Sequence, residues 1–142
     1  MALTADDKKQ VKNIWSHIAP NAETWGSEAL DRMFKSELQT TTYFSKYDLH
    51  TGSPHLKSHG KKVMDALTEA VNHLDNIPGA LSKLSDLHAY ELRVDPGNFP
   101  LLAHCILVVL AIHLPKKLDV CTHQALDKFL AAVACALTSK YR

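Results

Sequence analysis

Apolar residues recur along this chain at intervals of three and four, the period of a helix with one face turned inward. Val11, Ile14, Trp15 and Ile18 make the first stripe, and Trp25, Ala29, Leu30, Met33 and Phe34 the second. Leu126, Phe129, Leu130, Val133 and Leu137 make the last. Start and stop signals bracket the stripes. Thr4 with Asp7 reads as a capping box, and Pro20 ends the helix it opens. Asn21 stands where a cap for the second helix is expected. A threonine-rich helical turn from Leu38 to Tyr43 follows, then the loop "FSKYDLHTGS". Ser53-Pro54, a cap followed by proline at the first helical position, opens a long helix through Leu74. "NIPG" breaks it ahead of a helix carrying "LSDLHAYEL". Asp95-Pro96 starts another that Leu114-Pro115 stops after His113, and Asp119 opens the last. No segment alternates as a half-buried strand would. The pattern predicts an all-α protein, one domain over residues 1–142, with about seven helices joined by short turns.

Gly26 and Gly60 fall inside helical patterns, each costing roughly 1 kcal/mol against alanine. A close helix crossing at which their backbones touch would account for both.

Composition removes several classes of function. Of 142 residues, 46% are hydrophobic and 22% charged, ordinary values for a globular protein, and the formal net charge is +1. That balance gives no footprint for nucleic acid or an anionic membrane, and "KSHGKK" lacks the aromatics that would stack on bases. "MALTADDKKQ" lacks the layout of a secretory signal, and the most apolar run, Leu101 to Leu114, is too short to cross a bilayer. A cytoplasmic protein is expected. Three cysteines without a CxxC pair fit free thiols, and Cys121 with His123 is half of a zinc site that lacks a second half. Ser85, Asp86 and His88 lie too close on one helix for a nucleophilic triad, and no Gly-rich phosphate loop exists. No enzyme is indicated.

His88 is the residue that resists this bland reading. It lies four residues from both Leu84 and Leu92, in the middle of an apolar stripe. A neutral imidazole must place one donor and one acceptor. Its Nδ1–H could reach the Leu84 carbonyl or the Ser85 hydroxyl, which leaves an Nε2 lone pair on an apolar face. Unsatisfied, that acceptor would cost on the order of 1–3 kcal/mol. A satisfied core histidine and a metal ligand both fit the residue alone. His59, however, heads a second stripe with Val63, Leu67 and Val71 on the preceding helix. Paired helices would set His59 facing His88 across walls of Val63, Leu67, Leu84, Leu87 and Leu92. Two histidines cannot complete a tetrahedral zinc site; they suit a metal whose other ligands belong to a flat cofactor such as haem.

The stretches "TYF" (Thr42 to Phe44), "HGKKV" (His59 to Val63), "LSDLHA" (Leu84 to Ala89), "LRVDPGNF" (Leu92 to Phe99), "LDKFL" (Leu126 to Leu130) and "LTSKYR" (Leu137 to Arg142) resemble the vertebrate globins. The resemblance runs the whole length and is narrowest with alpha-type haemoglobin chains, whose short connection between Phe44 and His59 lacks a small fourth helix. It implies a globin fold around non-covalent haem b (iron protoporphyrin IX), reversible O₂ carriage, and assembly with beta-type globin chains in a cooperative α₂β₂ tetramer of the red-cell cytosol. It implies that His88 is the proximal iron ligand and that His59 is the distal residue donating a hydrogen bond to bound O₂. Phe44 and Phe99 match positions that pack on the porphyrin. Tyr43, Lys46, Lys62 and Asn98 match positions near the propionate edge. Val63 would crowd the ligand, while Leu67, Leu84, Leu87, Leu92, Val94, Leu102 and Leu137 keep the pocket dry.

The same resemblance places Arg32, His104 and His123 in a stable contact with a beta chain. It places Gln39, Thr42, Tyr43, Arg93, Asp95 and Asn98 in a sliding contact between dimers, with Tyr141 and Arg142 holding the low-affinity state. The chain departs from the pattern at Thr41, where a lysine is usual, at Leu38 and Gln39, where proline and threonine are common, and at Lys46, which replaces a histidine. A haem peroxidase is disfavoured because Asp86 stands two residues before His88 and no distal arginine is apparent. A monomeric storage globin is disfavoured because the helix from Leu101 to His113 is apolar nearly all round.

Overall fold

The computed structural model describes residues 3–44, 50–86 and 96–138. They form seven α-helical segments and three 3-10 turns, and no strand occurs among the described residues. The helix α1 (Ala5–Ile18) opens on the expected box: the Thr4 hydroxyl accepts from the Asp7 N–H at 3.0 Å, and the Asp7 carboxylate accepts from the Thr4 N–H at 3.0 Å. A 3-10 turn holding Pro20 (Ala19–Asn21) leads into α2 (Ala22–Ser36). Asn21 occupies the cap position there but does not cap. With ψ at 20° its backbone is not extended, and its side-chain amide donates back to the His17 carbonyl at 3.2 Å.

The threonine-rich turn is a 3-10 helix (Leu38–Phe44). Thr40, Thr41 and Thr42 each donate a hydroxyl proton to the carbonyl three residues back, which favours this tighter winding. Most of the loop that follows lies outside the described residues. The helix α3 (Pro54–Asn72) begins under Ser53, whose Oγ accepts from the Leu56 N–H at 3.1 Å, and it ends two residues before the expected Leu74. "NIPG" turns out to be more than a break. Asn76 caps a single helical turn, α4 (Ile77–Ala80), by accepting from the Gly79 N–H at 3.2 Å, and α5 (Ser82–Asp86) follows. Asp95 lies outside the described residues; a 3-10 turn (Pro96–Asn98) delays α6 (Phe99–His113). Asp119 accepts from the Thr122 N–H at 2.8 Å ahead of α7 (Val120–Thr138).

These helices share one core. Trp15 meets Phe129 edge-on at 5.8 Å between ring centres, and its Nε1 donates to the Thr68 hydroxyl at 2.8 Å. The two interior glycines do lie at one crossing. A Cβ on Gly26 would fall on the Gly60 carbonyl and come within 2.7 Å of the Met64 Cγ, while a Cβ on Gly60 would fall on the backbone of Ser27. Backbone approach of this kind outweighs the propensity cost of each glycine. By length and composition α7 could cross a bilayer, but Ala125, Leu126, Phe129, Leu130 and Val133 are buried in the core, as in a central helix of a globular domain.

Candidate functional site

Three helices leave a space among them. α3, α6 and α7 surround a cavity of about 360 Å³, with Leu84 of α5 and Leu81 just before it contributing to its wall. On α3 the lining residues His59, Lys62, Val63, Ala66 and Leu67 follow the helical repeat, so a single face supplies them all. Phe99, Leu102, Ala103 and Ile106 do the same on α6, and Leu130, Val133, Ala134 and Leu137 on α7. The volume is that of a small-molecule pocket, apolar with few polar groups. Val63, Leu84, Phe99 and Leu102 are only half-buried, so apolar surface faces this space instead of other side chains. His59 is half-buried and Lys62 exposed, which puts the polar groups at the α3 edge.

Ser85 is buried and donates its hydroxyl proton to the Leu137 carbonyl at 3.1 Å, tying α5 to α7 below the cavity. A hydroxyl engaged as donor can still accept, which is the role expected of it toward the His88 Nδ1–H. His88 lies outside the described residues, as do Leu87, Leu92, Val94 and Lys46; of Tyr43 and Phe44 only the backbone is described. The cavity therefore brings together eight predicted residues: His59, Lys62, Val63, Leu67, Leu84, Phe99, Leu102 and Leu137. Asn98 is half-buried next to Phe99 but does not line it. Sequence reasoning missed Ala66, Leu81, Ala103, Ile106, Leu130, Val133 and Ala134. Extending each apolar stripe by three and four residues would have found most of them.

A second groove runs between α2 and α6 and joins Arg32 to His104, with Glu28, Asp31, Lys35 and Cys105 among its walls. Arg32 Nε lies 3.6 Å from one Glu28 oxygen, and His113 Nε2 lies 2.9 Å from the other. The His113 ring also stacks on Trp25 at 4.9 Å. Burial pushes the Cys105 thiol above its ordinary range, with a hydrogen bond to Ser36 opposing it. Gln39 and Thr42 are exposed on the 3-10 turn next to Leu38, itself 71% exposed, and His123 is exposed on α7. Arg93, Asp95, Tyr141 and Arg142 lie outside the described residues. Among the described residues no three His, Cys, Asp or Glu side chains converge as a metal site.

The profile of the Globin family matches residues 27–137. Over the whole of both chains, the sequence is 64% identical to Hemoglobin subunit alpha of Xenopus tropicalis. On the same full coverage it is 62% identical to Hemoglobin subunit alpha-2 of Xenopus laevis and 60% to Hemoglobin subunit alpha-C of Aquarana catesbeiana. With an all-helical fold, a histidine-edged apolar cavity and similarity of this extent, the chain belongs to the globin family.

Proposed function

We propose that this globin, one domain over residues 1–142, carries O₂ on ferrous haem as the alpha-type subunit of a haemoglobin tetramer and is not an enzyme. The observation that carries the reading is the cavity itself: half-covered apolar walls with His59 and Lys62 at one edge, in a chain similar throughout to haemoglobin alpha subunits. Those walls fit a flat apolar cofactor. A group that brings its own nitrogen donors would need no cluster of protein donors, only one imidazole, and Lys62 at the rim suits the cofactor's carboxylates. No CxxC pair exists for covalent attachment, so haem b is held non-covalently.

His88 would hold the iron through Nε2, its Nδ1–H accepted by the Ser85 oxygen or the Leu84 carbonyl. When bound, ferrous haem supplies the centre that takes up O₂ reversibly. His59 would donate a hydrogen bond to bound O₂, and its partial burial would strengthen that bond. Val63, one turn on, restricts the size of what enters. Leu67, Leu84, Leu102 and Leu137 would keep water from the iron, and the resemblance implies the same role for Leu87, Leu92 and Val94. The resemblance implies that Phe44 would join Phe99 in packing on the ring, and that Tyr43, Lys46 and Asn98 would join Lys62 toward its polar edge. A peroxidase would set an arginine over the ligand; none lines the cavity among the described residues.

The partner is a beta-type globin chain. Arg32 and His104 in the second groove, with exposed Ile112 on α6 and His123 on α7, form one contact. The resemblance implies that Gln39, Thr42, Tyr43, Arg93, Asp95 and Asn98 would form the other, with Tyr141 and Arg142 holding the low-affinity state, and such an assembly belongs in the red-cell cytosol. Absorption spectra of the purified protein, reduced and then exposed to O₂, test the reading. A reversible spectral change is expected, with co-purification of a second globin chain. Replacing His59 with valine should speed O₂ dissociation about 10-fold or more. A reduced protein whose spectrum ignores O₂ overturns the proposal.

A further inference from the structure

We infer that α2 clamps α3 at two points and so sets where His59 stands, with Gly26 and Asp31 as positioning residues. This rests on the proposed role of His59. The first point is the glycine crossing: the Gly60 carbonyl lies against Gly26 where any side chain would collide, and Gly60 is bonded to His59. The second lies before α3 begins. Thr51 donates its hydroxyl proton to the Asp31 carboxylate, with oxygens 3.1 and 3.2 Å away, and Lys35 donates both to the Thr51 hydroxyl and to Asp31, the latter at 3.2 Å. This network holds the turn through Gly52, whose φ of 84° lets the chain swing into the Ser53 cap.

The segment from Thr51 to Gly60 is therefore pinned to α2 at both ends, and His59 lies inside it one residue from the tighter pin. On the side of α3 that meets α2, Gly60 and Met64 are both buried against Gly26, so this side has little room to compensate for a shift at either pin. A hydrogen bond to a small ligand depends on placement at the scale of an ångström, and misplacement of that size carries large rate effects.

The test uses the complete haem-loaded tetramer with Gly26→Ala, Asp31→Ala and His59→Val, and each of the first two combined with the third. Three quantities are measured: the O₂ dissociation rate, the infrared C–O stretch of the carbon monoxide complex, which senses the His59 dipole, and amide hydrogen exchange along residues 56–61. Gly26→Ala should raise O₂ dissociation about 5-fold and move the stretch toward that of His59→Val, and Asp31→Ala should do so by about 2-fold. Both variants should speed exchange in α3, and both ligand effects should vanish once His59 is valine. Where Gly26→Ala does not fold, Asp31→Ala decides, because its surface network contributes little to stability. Ligand effects that persist without His59, or a normal stretch and rate in the folded clamp variants, overturn the inference while leaving the proposed function standing. An unchanged rate in His59→Val alone overturns the inference together with the His59 role on which it rests, while reversible O₂ binding by the wild type keeps the proposed function.

Discussion

The two sides of α3 are built from similar residues, yet they meet different surroundings. Toward α1 and α2, Met64 and Val71 are buried, Thr68 receives the Trp15 hydrogen bond, and Gly60 lies against backbone. Toward α6 and α7, Val63 and Ala66 face a cavity of about 360 Å³ whose opposite wall includes Ala103 and Ala134. Alanine on three helices is what keeps that side from filling itself. The filled side holds the helices together, and the cavity side supplies the ligand site, so substitutions on the two sides should separate stability from binding.

The largest effect should come from Phe129→Ala. Phe129 is completely buried and contacts Trp15. Truncating it is expected to cost about 3–5 kcal/mol, read as a fall in the urea midpoint of unfolding. Val63→Ala, at a half-buried position facing the cavity, should cost about 1 kcal/mol or less while speeding ligand association. Equal losses from the two would mean that the cavity wall is packed as tightly as the core.

Next in size is a substitution that fills the space. Ala134→Phe on α7 should leave far-ultraviolet circular dichroism unchanged but weaken haem uptake about 10-fold or more, because the ring would take the volume the cofactor needs. Titration of the haem-free chain with haem measures it. Undiminished uptake would place the cofactor elsewhere.

What could be read from the sequence was mostly local. The Thr4–Asp7 box and the Ser53-Pro54 start depend on contacts within four residues, and both formed as expected. Even the glycine crossing was readable, because an interior glycine carries a cost that needs a reason. Asn21 misled because capping depends on a backbone angle that residue type does not dictate, and α4 was hidden because Asn-Ile-Pro-Gly suits a break and a capped turn equally well. In the cavity, His59 and the leucines announced themselves by breaking or extending a stripe. Ala66, Ala103 and Ala134 did not, since an alanine that makes room looks the same in sequence as one that packs. The contact of His113 with Trp25 and Glu28 brings in a residue 85 positions beyond Glu28 and left no sequence signal.

The smallest expected effect tests whether the filled side can be loosened without touching the cavity. Asp7 sits in the capping box and also receives Lys128 of α7 at 3.1 Å. The Thr4 backbone N–H, and then Lys128, hold its carboxyl below the ordinary aspartate range. A folded-state value below the unfolded one means that the unfolded chain takes up the proton first as pH falls. Asp7 therefore stabilises the fold fully above about pH 5, and loses that contribution as pH drops past about 3.9 and through its own lower value. The gap in Tm between the native chain and Asp7→Asn should close over that range, with O₂ binding at neutral pH unaltered. Asp75 offers a control. Lys8 at 2.6 Å lowers its carboxyl too, but its side chain is 91% exposed, so salt near about 1 M should erase the effect of Asp75→Asn and spare most of that of Asp7→Asn. A gap for Asp7→Asn that salt removes just as readily would mean that Lys128, not the backbone cap, dominates this carboxylate.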